Sequence, residues 1–169
     1  IEETDKLTHL HGVHSAMSLA KATGDIRHVQ VGGEAATAAL VANFPPPVSI
    51  WNDYGPTEVT CVSVAKRIDV SRISSIGCPT RNSLCLVVNI EDGCSGPRTS
   101  MQIIGVWGEL WLGGVQVTRG YLQRPEKTAD AFIAHPWTTS DPSGHGVAYR
   151  TGDRVRWYAD GELEFGGRI

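Results

Sequence analysis

Glycine and proline interrupt this chain so often that no long helix has room to form. Its 169 residues include 19 Gly and 9 Pro, well above their combined average share of about 12%. Both end regular elements, because glycine adopts backbone conformations that other residues avoid and proline lacks a backbone N–H. With 41% hydrophobic and 20% charged residues, the chain has the composition of a folded protein. We therefore expect a globular fold of short strands and exclude a long-helix bundle.

The pattern changes near residue 76. The first part predicts an α/β segment over 1–76, and the second a small antiparallel, barrel-like β subdomain over 77–169, so the fold class is mixed α/β. The elements predicted in the first part are a loop with a short helix over 6–21, a strand over 26–31, a helix over 35–43, and strands over 48–52 and 61–68. Those of the second part are strands over 83–90, 105–113, 148–151, 155–158 and 163–165, a helix over 125–132, and loops over 92–105 and 135–146.

Charge and hydropathy exclude several partners. There are 15 Lys plus Arg against 18 Asp plus Glu, a formal net charge of −3, and the basic residues form no stripe that could follow a phosphate backbone. No apolar run approaches the roughly 20 residues of a membrane helix, and the N-terminus does not resemble a signal peptide. We expect a cytoplasmic protein that binds neither nucleic acid nor membrane.

The cysteines and the N-terminal histidines do not form a recognisable metal or redox motif. No two cysteines stand in a C-x-x-C pair, so free thiols are favoured over zinc or disulfides. Three histidines close together without a nearby acidic ligand are more typical of a loop or a helix end than of a metal site. The residues concerned are Cys61, Cys78, Cys85, Cys94, His9, His11 and His14.

The segment 52–58, NDYGPTE, is the densest group of residues with chemical potential. It follows a predicted buried strand, and open α/β sheets bind ligands beyond the carboxyl ends of their strands. Thr57 offers a hydroxyl to a phosphate, Glu58 a hard oxygen to Mg²⁺, and Tyr54 a flat face for a base. The residues alone leave equally open a plain β-turn with a polar rim.

Three later segments carry weaker signals. Leucines and glycines in 108–114 and the following RGYL at 119–122 are typical of a half-buried strand and a turn, so we interpret them as scaffold. Asp153, after a predicted strand, is suited to ribose hydroxyls. The alternative is that it caps the turn at Gly152, which is the commoner role for an isolated Asp. Asp160 and Gly161 predict a hairpin turn. Arg168 follows two glycines and is suited to binding an anion or a ribose phosphate.

Taken in order, these segments resemble one family, the adenylation domains of nonribosomal peptide synthetases within the adenylate-forming enzymes. The motifs NDYGPTE, GELWLGGVQVTRGYL, YRTGDR and the closing GRI occur in the family's order and spacing. The resemblance implies part of the large N-terminal core of such a domain. It also implies an ATP-dependent ligase that converts an amino acid into an aminoacyl adenylate and passes it to the phosphopantetheine thiol of a peptidyl carrier protein.

The resemblance also implies roles for individual residues. The catalytic pair would be Thr57 at the α-phosphate and Glu58 as the Mg²⁺ ligand. The residues expected to bind ATP are Gly33, Glu34, Asn52, Tyr54, Gly55, Thr57, Asp153, Phe165 and Arg168. Those expected to line the amino acid pocket are His9, Gln30, Gly32, Asp53, Cys61 and Val62. Since a buried carboxylate needs a partner, Asp53 favours a substrate whose side chain is cationic or donates hydrogen bonds.

Several family features have no counterpart in this chain, namely the glycine-rich phosphate loop, the aspartate that holds the substrate's amino group, and the catalytic lysine of the C-terminal subdomain. Removing one transition-state donor costs about 10² to 10³ in rate, so we expect the isolated segment to be inactive and to expose apolar surface. Two alternatives remain open at this point. One is a segment of an acyl-CoA or aryl-acid ligase, and the other is a non-catalytic fragment that binds a nucleotide or a protein.

Overall fold

The computed structural model describes residues 7–20, 25–90, 100–134 and 146–169. Ten strands and three short helices make up the regular structure of these ranges, with single 3₁₀ turns at Thr57–Val59 and Val70–Arg72. The elements are β1 (His9–Val13), α1 (His14–Ser18), β2 (His28–Gly32), α2 (Ala38–Asn43), β3 (Ser49–Tyr54), β4 (Val64–Arg67), β5 (Ser75–Pro79), β6 (Ser83–Val88), β7 (Gly108–Gly114), α3 (Pro125–Ala131), β8 (Phe132–Ala134), β9 (Val147–Trp157) and β10 (Leu163–Arg168).

The strands form one continuous sheet in the order β1-β2-β3-β4-β5-β10-β9-β7-β6, with β8 paired to β9. The pairs β1–β2 and β2–β3 are parallel, and every later pair is antiparallel. β5 pairs with β4 on one side and with β10 on the other, so it joins the two kinds of sheet. We call strands β1–β3 with α1 and α2 the parallel layer, and strands β4–β10 the antiparallel sheet.

The parallel layer packs one face against its own helices. Alternate residues of β2 and β3 point into a cluster with α2, whose buried members are Val29, Val31, Leu40, Phe44 and Ile50. Thr37 begins α2 by accepting a hydrogen bond from the Leu40 N–H at 3.2 Å, a stabilising cap. The opposite face carries exposed side chains, namely His9, His11, His28, Gln30 and Trp51.

The antiparallel sheet curves around a larger core. Six of its strands and the 3₁₀ turn at Thr57–Val59 contribute to one cluster, whose buried members are Val59, Val64, Ile76, Cys85, Val87, Leu110, Leu112, Tyr149, Val155 and Leu163. No ladder joins β6 to β5 within the described ranges. The barrel-like form expected for residues 77–169 therefore stays a prediction.

The mixed α/β class is confirmed, and so is the hairpin turn at Asp160–Gly161, where the Tyr158 N–H donates to the Glu162 carbonyl at 2.8 Å. The prediction for residues 6–21 was wrong in part, because residues 9–13 form strand β1, which gains its ladder only by pairing with β2. The two strands predicted over 148–151 and 155–158 are one strand, β9. The buried Thr151 hydroxyl donates to the Leu110 carbonyl at 2.7 Å and keeps β9 against β7 through the positive φ of Gly152.

Strands β5 and β8 were not predicted, and the predicted strand over 61–68 is confined to β4, Val64–Arg67. The predicted loops over 92–105 and 135–146 lie largely outside the described residues, as does Cys94. Among the described residues, no helix is both long enough and apolar enough to cross a membrane.

Candidate functional site

A cavity of about 550 Å³ lies where the parallel layer meets the antiparallel sheet. One wall comes from the loop after β2 and the carboxyl end of β3, and the other comes from the segment before and within β5 and from β9 and β10. The lining residues are Gly33, Glu34, Ala35, Ala36, Asn52, Asp53, Tyr54, Gly55, Pro56, Ile73, Ser74, Ile76, Asp153, Phe165 and Arg168. The cavity thus occupies the edge where open α/β sheets bind ligands.

Asp153 is the charged group of the cavity that makes the most hydrogen bonds to other cavity side chains. Its Oδ2 accepts a hydrogen bond from the Tyr54 hydroxyl at 2.5 Å, and its Oδ1 accepts one from Arg168 Nη1 at 2.8 Å. Arg168 Nη1 also donates to the Thr151 carbonyl at 2.5 Å. Burial, and next the charge of Asp153, raise the pKa of Tyr54, so this phenol remains a donor. Asp153 is buried, whereas the Arg168 side chain is 71% exposed.

Aromatic and apolar side chains form flat walls beside this carboxylate. The rings of Tyr54 and Phe165 lie 6.2 Å apart between centroids and are inclined at 47°. Ala35 and Ala36 line the cavity from the loop after β2. Flat apolar surfaces with a polar group at one end suit a heteroaromatic ring attached to a polar sugar.

The loop over 33–36 is fixed at both ends by α1. The Glu34 carboxylate accepts hydrogen bonds from the Ser15 N–H at 2.8 Å and from the Ser15 hydroxyl at 3.1 Å. The Thr37 N–H donates to His14 Nε2 at 3.0 Å. Glu34 therefore lines the cavity with a carboxylate that is already hydrogen-bonded to α1.

His14 holds this loop as a neutral imidazole. The ring is buried, with Nε2 used as an acceptor, so the ring proton is assigned to Nδ1. Burial lowers the pKa of His14, while the charge of Glu34 acts in the opposite direction.

Asp53 presents a second carboxylate to the cavity, at the end of β3. It is 9% exposed, and burial raises its pKa, while His11 opposes this rise electrostatically. The parallel register pairs Val13 with Gly32 and Gly32 with Asp53, so the three lie side by side across the layer. His11 lies two residues earlier on the same face of β1, which makes it the histidine closest to Asp53 in the register.

The six residues expected at the amino acid pocket come from β1, β2, β3 and the segment between β3 and β4, and Gly32 lies beside Asp53 in the register. His9 pairs with His28, and their rings stack with centroids 4.7 Å apart. Its row lies four residues from that of Asp53, roughly 13 Å along the strand. Asp53 lines the cavity, whereas the other five are not among its lining residues, namely His9, Gln30, Gly32, Cys61 and Val62.

Thr57 and Glu58 follow the cavity residue Pro56 in the 3₁₀ turn Thr57–Val59 and are not among the lining residues. The Tyr121 hydroxyl donates to Glu58 Oε1 at 2.6 Å, and the Thr118 N–H donates to the Glu58 carbonyl at 2.8 Å. Burial, and next the bond to Glu58, raise the pKa of Tyr121. Among the described residues, no group of three or more His, Cys, Asp or Glu side chains could hold a metal ion.

Sequence reasoning missed four residues that organise this site, namely His11, His14, Ser15 and Tyr121. Each acts through a partner on another element, between 19 and 63 residues away for those with a hydrogen bond. Tyr121 lay in the RGYL run, and His11 and His14 lay in the group of three histidines that was interpreted as a loop or a helix end. The RGYL run was interpreted as scaffold, and its contact with Glu58 adds a role at the site.

The parallel layer and the cavity at its carboxyl edge define a ligand-binding α/β protein. Residues 4–122 match the family of AMP-binding enzymes, and the chain belongs to this family.

Similar proteins agree with the resemblance noted in the sequence. The chain is 34% identical to gramicidin S synthase 2 of Brevibacillus brevis over 176 residues, 98% of this chain and 4% of the relative. It is 37% identical to N-(5-amino-5-carboxypentanoyl)-L-cysteinyl-D-valine synthase of Amycolatopsis lactamdurans over 175 residues, 97% of this chain and 5% of the relative. The chain thus spans about a twentieth of the length of these two curated relatives.

A solved structure of a four-domain nonribosomal peptide synthetase bound to AMP and glycine is also similar. It superposes with a TM-score of 0.78 at 29% identity, over 97% of this chain and 12% of that chain. The resemblance to an adenylation domain of the peptide synthetases, covering part of its core, is thereby confirmed.

Proposed function

We propose that the protein containing this chain activates an amino acid with ATP. The amino acid carboxylate attacks the α-phosphate and pyrophosphate leaves. The phosphopantetheine thiol of a peptidyl carrier protein then attacks the acyl carbon of the adenylate, which forms a thioester and releases AMP. The observation that carries this proposal is the buried Asp153 carboxylate beside the rings of Tyr54 and Phe165 in the 550 Å³ cavity. Membership of the AMP-binding enzymes supports it.

ATP enters this proposal as a substrate held by the cavity walls. Asp153 accepts the ribose hydroxyls, and the Tyr54 ring and the Asn52 amide contact adenine. Gly33, Glu34 and Gly55 border the base through their backbone. Arg168 opposes Asp153 in the register and reaches the ribose or a phosphate, while Phe165 closes the apolar wall.

Thr57 and Glu58 act at the phosphate end. The Thr57 side chain is exposed next to Pro56, and its hydroxyl donates a hydrogen bond to the α-phosphate. The Glu58 carboxylate is a suitable Mg²⁺ ligand, because it offers the hard oxygen atoms that Mg²⁺ prefers. A hydrogen bond from Tyr121 fixes its position. A bound Mg²⁺ would supply charge neutralisation for the phosphates, and Glu58 would hold it.

The amino acid lies toward Asp53. A carboxylate that is 9% exposed is costly to desolvate unless it is paired. Since only His11 opposes its raised pKa, a cationic or hydrogen-bond-donating substrate side chain would complete the pairing. The other residues proposed for this pocket are His9, Gln30, Gly32, Cys61 and Val62.

The test is amino-acid-dependent exchange of labelled pyrophosphate into ATP by the full-length protein. We expect Asp153→Asn to reduce kcat/KM for ATP by about 10- to 100-fold, because hydrogen bonds to a charged group contribute about 1.5–3 kcal/mol. Asp160→Asn is the matched control, since Asp160 lies in the exposed hairpin turn and pairs with Arg72. Absence of exchange with every amino acid would refute the proposal, and equal rates for Asp153→Asn and the wild type would refute the role of Asp153.

The same assay, run across a panel of amino acids, tests Asp53. Exchange should be strongest with basic or donor side chains, and Asp53→Ala should weaken these selectively. A preference for aliphatic substrates that Asp53→Ala leaves unaltered would contradict this assignment.

A further inference from the structure

The segment between β7 and α3, residues 115–124, reaches across to the 3₁₀ turn that carries Glu58. Three hydrogen bonds connect them, from Tyr121 Oη to Glu58 Oε1 at 2.6 Å, from the Thr118 N–H to the Glu58 carbonyl at 2.8 Å, and from Thr60 Oγ1 to the Gln116 carbonyl at 2.7 Å. A turn of three residues has little internal structure to hold a side chain. These bonds therefore fix both the backbone and the carboxylate of Glu58 from outside.

Contacts with α3 and β8 fix the position of Tyr121. Its N–H donates to Thr128 Oγ1 at 2.9 Å, and its ring meets Phe132 edge-on, with the centroids 5.5 Å apart. Gly120 has a φ of +121°, and a Cβ at this position would collide with the Thr128 side chain. Close approach of α3 to the chain at residue 120 is therefore what aims the Tyr121 hydroxyl at Glu58.

A carboxylate can accept about four hydrogen bonds on its two oxygens. The Tyr121 hydroxyl uses one acceptor site on Oε1 and restricts the rotation of the group, so it leaves acceptor sites for a cation.

We propose that Tyr121 is a positioning residue that orients the Glu58 carboxylate toward a divalent cation and the nucleotide phosphates. This inference rests on the proposed function and assigns to the RGYL turn a role in metal-dependent nucleotide use. Residues that hydrogen-bond to a metal-binding carboxylate typically alter metal affinity or activity by about 10- to 100-fold when they are removed.

The experiment compares Tyr121→Phe with Tyr158→Phe in the full-length protein. Tyr158 follows β9 and interacts with Glu164 and with Arg72, whose guanidinium lies 4.9 Å from the ring centroid. Each variant thus removes one hydroxyl from a tyrosine beside a glutamate. Tyr121 lies beside Glu58, the proposed metal ligand, whereas Tyr158 lies beside Glu164. We would measure the Mg²⁺ concentration for half-maximal pyrophosphate exchange at saturating ATP, and the calorimetric affinity for ATP with Mg²⁺ and with EDTA.

We expect Tyr121→Phe to raise the Mg²⁺ requirement by about 10- to 100-fold while ATP binding in EDTA stays near that of the wild type, and Tyr158→Phe to alter neither. An unchanged Mg²⁺ requirement would overturn the inference. So would an equal loss of ATP affinity with and without Mg²⁺, because that result would mean that Tyr121 only maintains the cavity.

A double-mutant cycle guards against a purely structural effect. Glu58→Gln keeps an acceptor for Tyr121 but removes the negative charge, so adding Tyr121→Phe to it should raise the Mg²⁺ requirement little further. Fully additive effects would overturn the inference. A wild-type protein without exchange and without Mg²⁺-dependent ATP binding would refute the proposed function and the inference together, whereas an active wild type with an unchanged Tyr121→Phe would refute the inference alone.

Discussion

The parallel layer and the antiparallel sheet bury their side chains in opposite ways. Parallel strands in α/β proteins are usually covered on both faces. Among the described residues, β1–β3 pack one face against α1 and α2 and expose histidines and Trp51 on the other. The antiparallel sheet wraps around a core of ten buried residues. The antiparallel sheet therefore has the larger buried core of the two regions.

The cavity depends on both regions. The parallel layer supplies strand ends and a loop held by α1, while the antiparallel sheet supplies Asp153 from within a long strand and Arg168 from the strand beside it. Tyr54 connects the two, because it ends β3 and donates its hydroxyl to Asp153. Disturbing either region should move one wall against the other.

Matched leucine deletions in the two cores should give the largest difference. Leu112 in β7 and Leu40 in α2 are both fully buried. Deleting a buried leucine side chain costs about 2–5 kcal/mol, depending on how far the site can collapse. We expect Leu112→Ala to lower the free energy of unfolding by ~4 kcal/mol, because strands enclose this side chain. Leu40→Ala should lower it by ~2 kcal/mol, because α2 lies at the surface of a smaller cluster. Urea unfolding monitored by circular dichroism measures both.

Equal losses in the two variants would show that the parallel layer is as tightly packed as the antiparallel core. The comparison assumes a single unfolding transition for each variant. Coincidence of circular dichroism and tryptophan fluorescence curves is the control for this assumption.

Gly55 tests the junction between β3 and β4. A Cβ at this position would overlap the backbone carbonyl of Cys61 and the backbone nitrogen of Ser63. Because backbone cannot yield as a side chain can, we expect Gly55→Ala to cost about 2 kcal/mol, within the usual range of about 1–3 kcal/mol for overpacking. It should also impair ATP binding, since Gly55 lines the cavity.

Gly113 in β7 is the matched control for Gly55. A Cβ there would meet Leu84 at an ordinary 3.5 Å, and replacing a glycine by alanine at a compatible position stabilises by about 0.4–1 kcal/mol. Thermal unfolding should therefore separate the two substitutions by their sign. A neutral Gly55→Ala would mean that the turn at the junction can open without cost.

The sequence predicted the local features of the site and missed its long-range contacts. The segment 52–58 and Asp153 were singled out by residue type and by a predicted strand end. The structure brings Asn52, Tyr54 and Asp153 to one cavity, although Asp153 lies within β9. Tyr54 and Asp153 are 99 residues apart, however, and Glu58 and Tyr121 are 63 apart. No short pattern encodes such pairs, because the strand order decides them.

The same reason explains the errors in the fold. Strand β1 reads HLHGV, which has no strong alternation, and it becomes a strand because β2 offers a parallel edge. Residues Thr151 and Gly152 are typical of a break, yet β9 continues past them, with a register shift in its ladder with β7 between Glu109 and Trp111. In the parallel layer, the strand register decides whether His9 or His11 lies nearer to Asp53. Residue composition does not reveal that register.

His14 should give the smallest effect, confined to the parallel layer. Burial lowers its pKa in the folded chain below the ordinary value of an exposed histidine. In mildly acidic solution the unfolded chain therefore binds more protons than the folded one, and the free energy of unfolding falls with falling pH. This contribution is fully present above the pKa of the unfolded chain and is lost as the pH falls toward that of the folded chain.

His14→Gln should flatten this acidic decline, because an amide oxygen can accept the Thr37 N–H without titrating. It should lower stability only slightly at neutral pH. His9→Gln is the control, since the His9 ring is exposed and stacks on His28, and it should leave the decline as in the wild type. Chemical unfolding at several pH values between neutral and mildly acidic measures the slopes. An unaltered slope in His14→Gln would place the acid sensitivity outside the contact between α1 and the loop over 33–36.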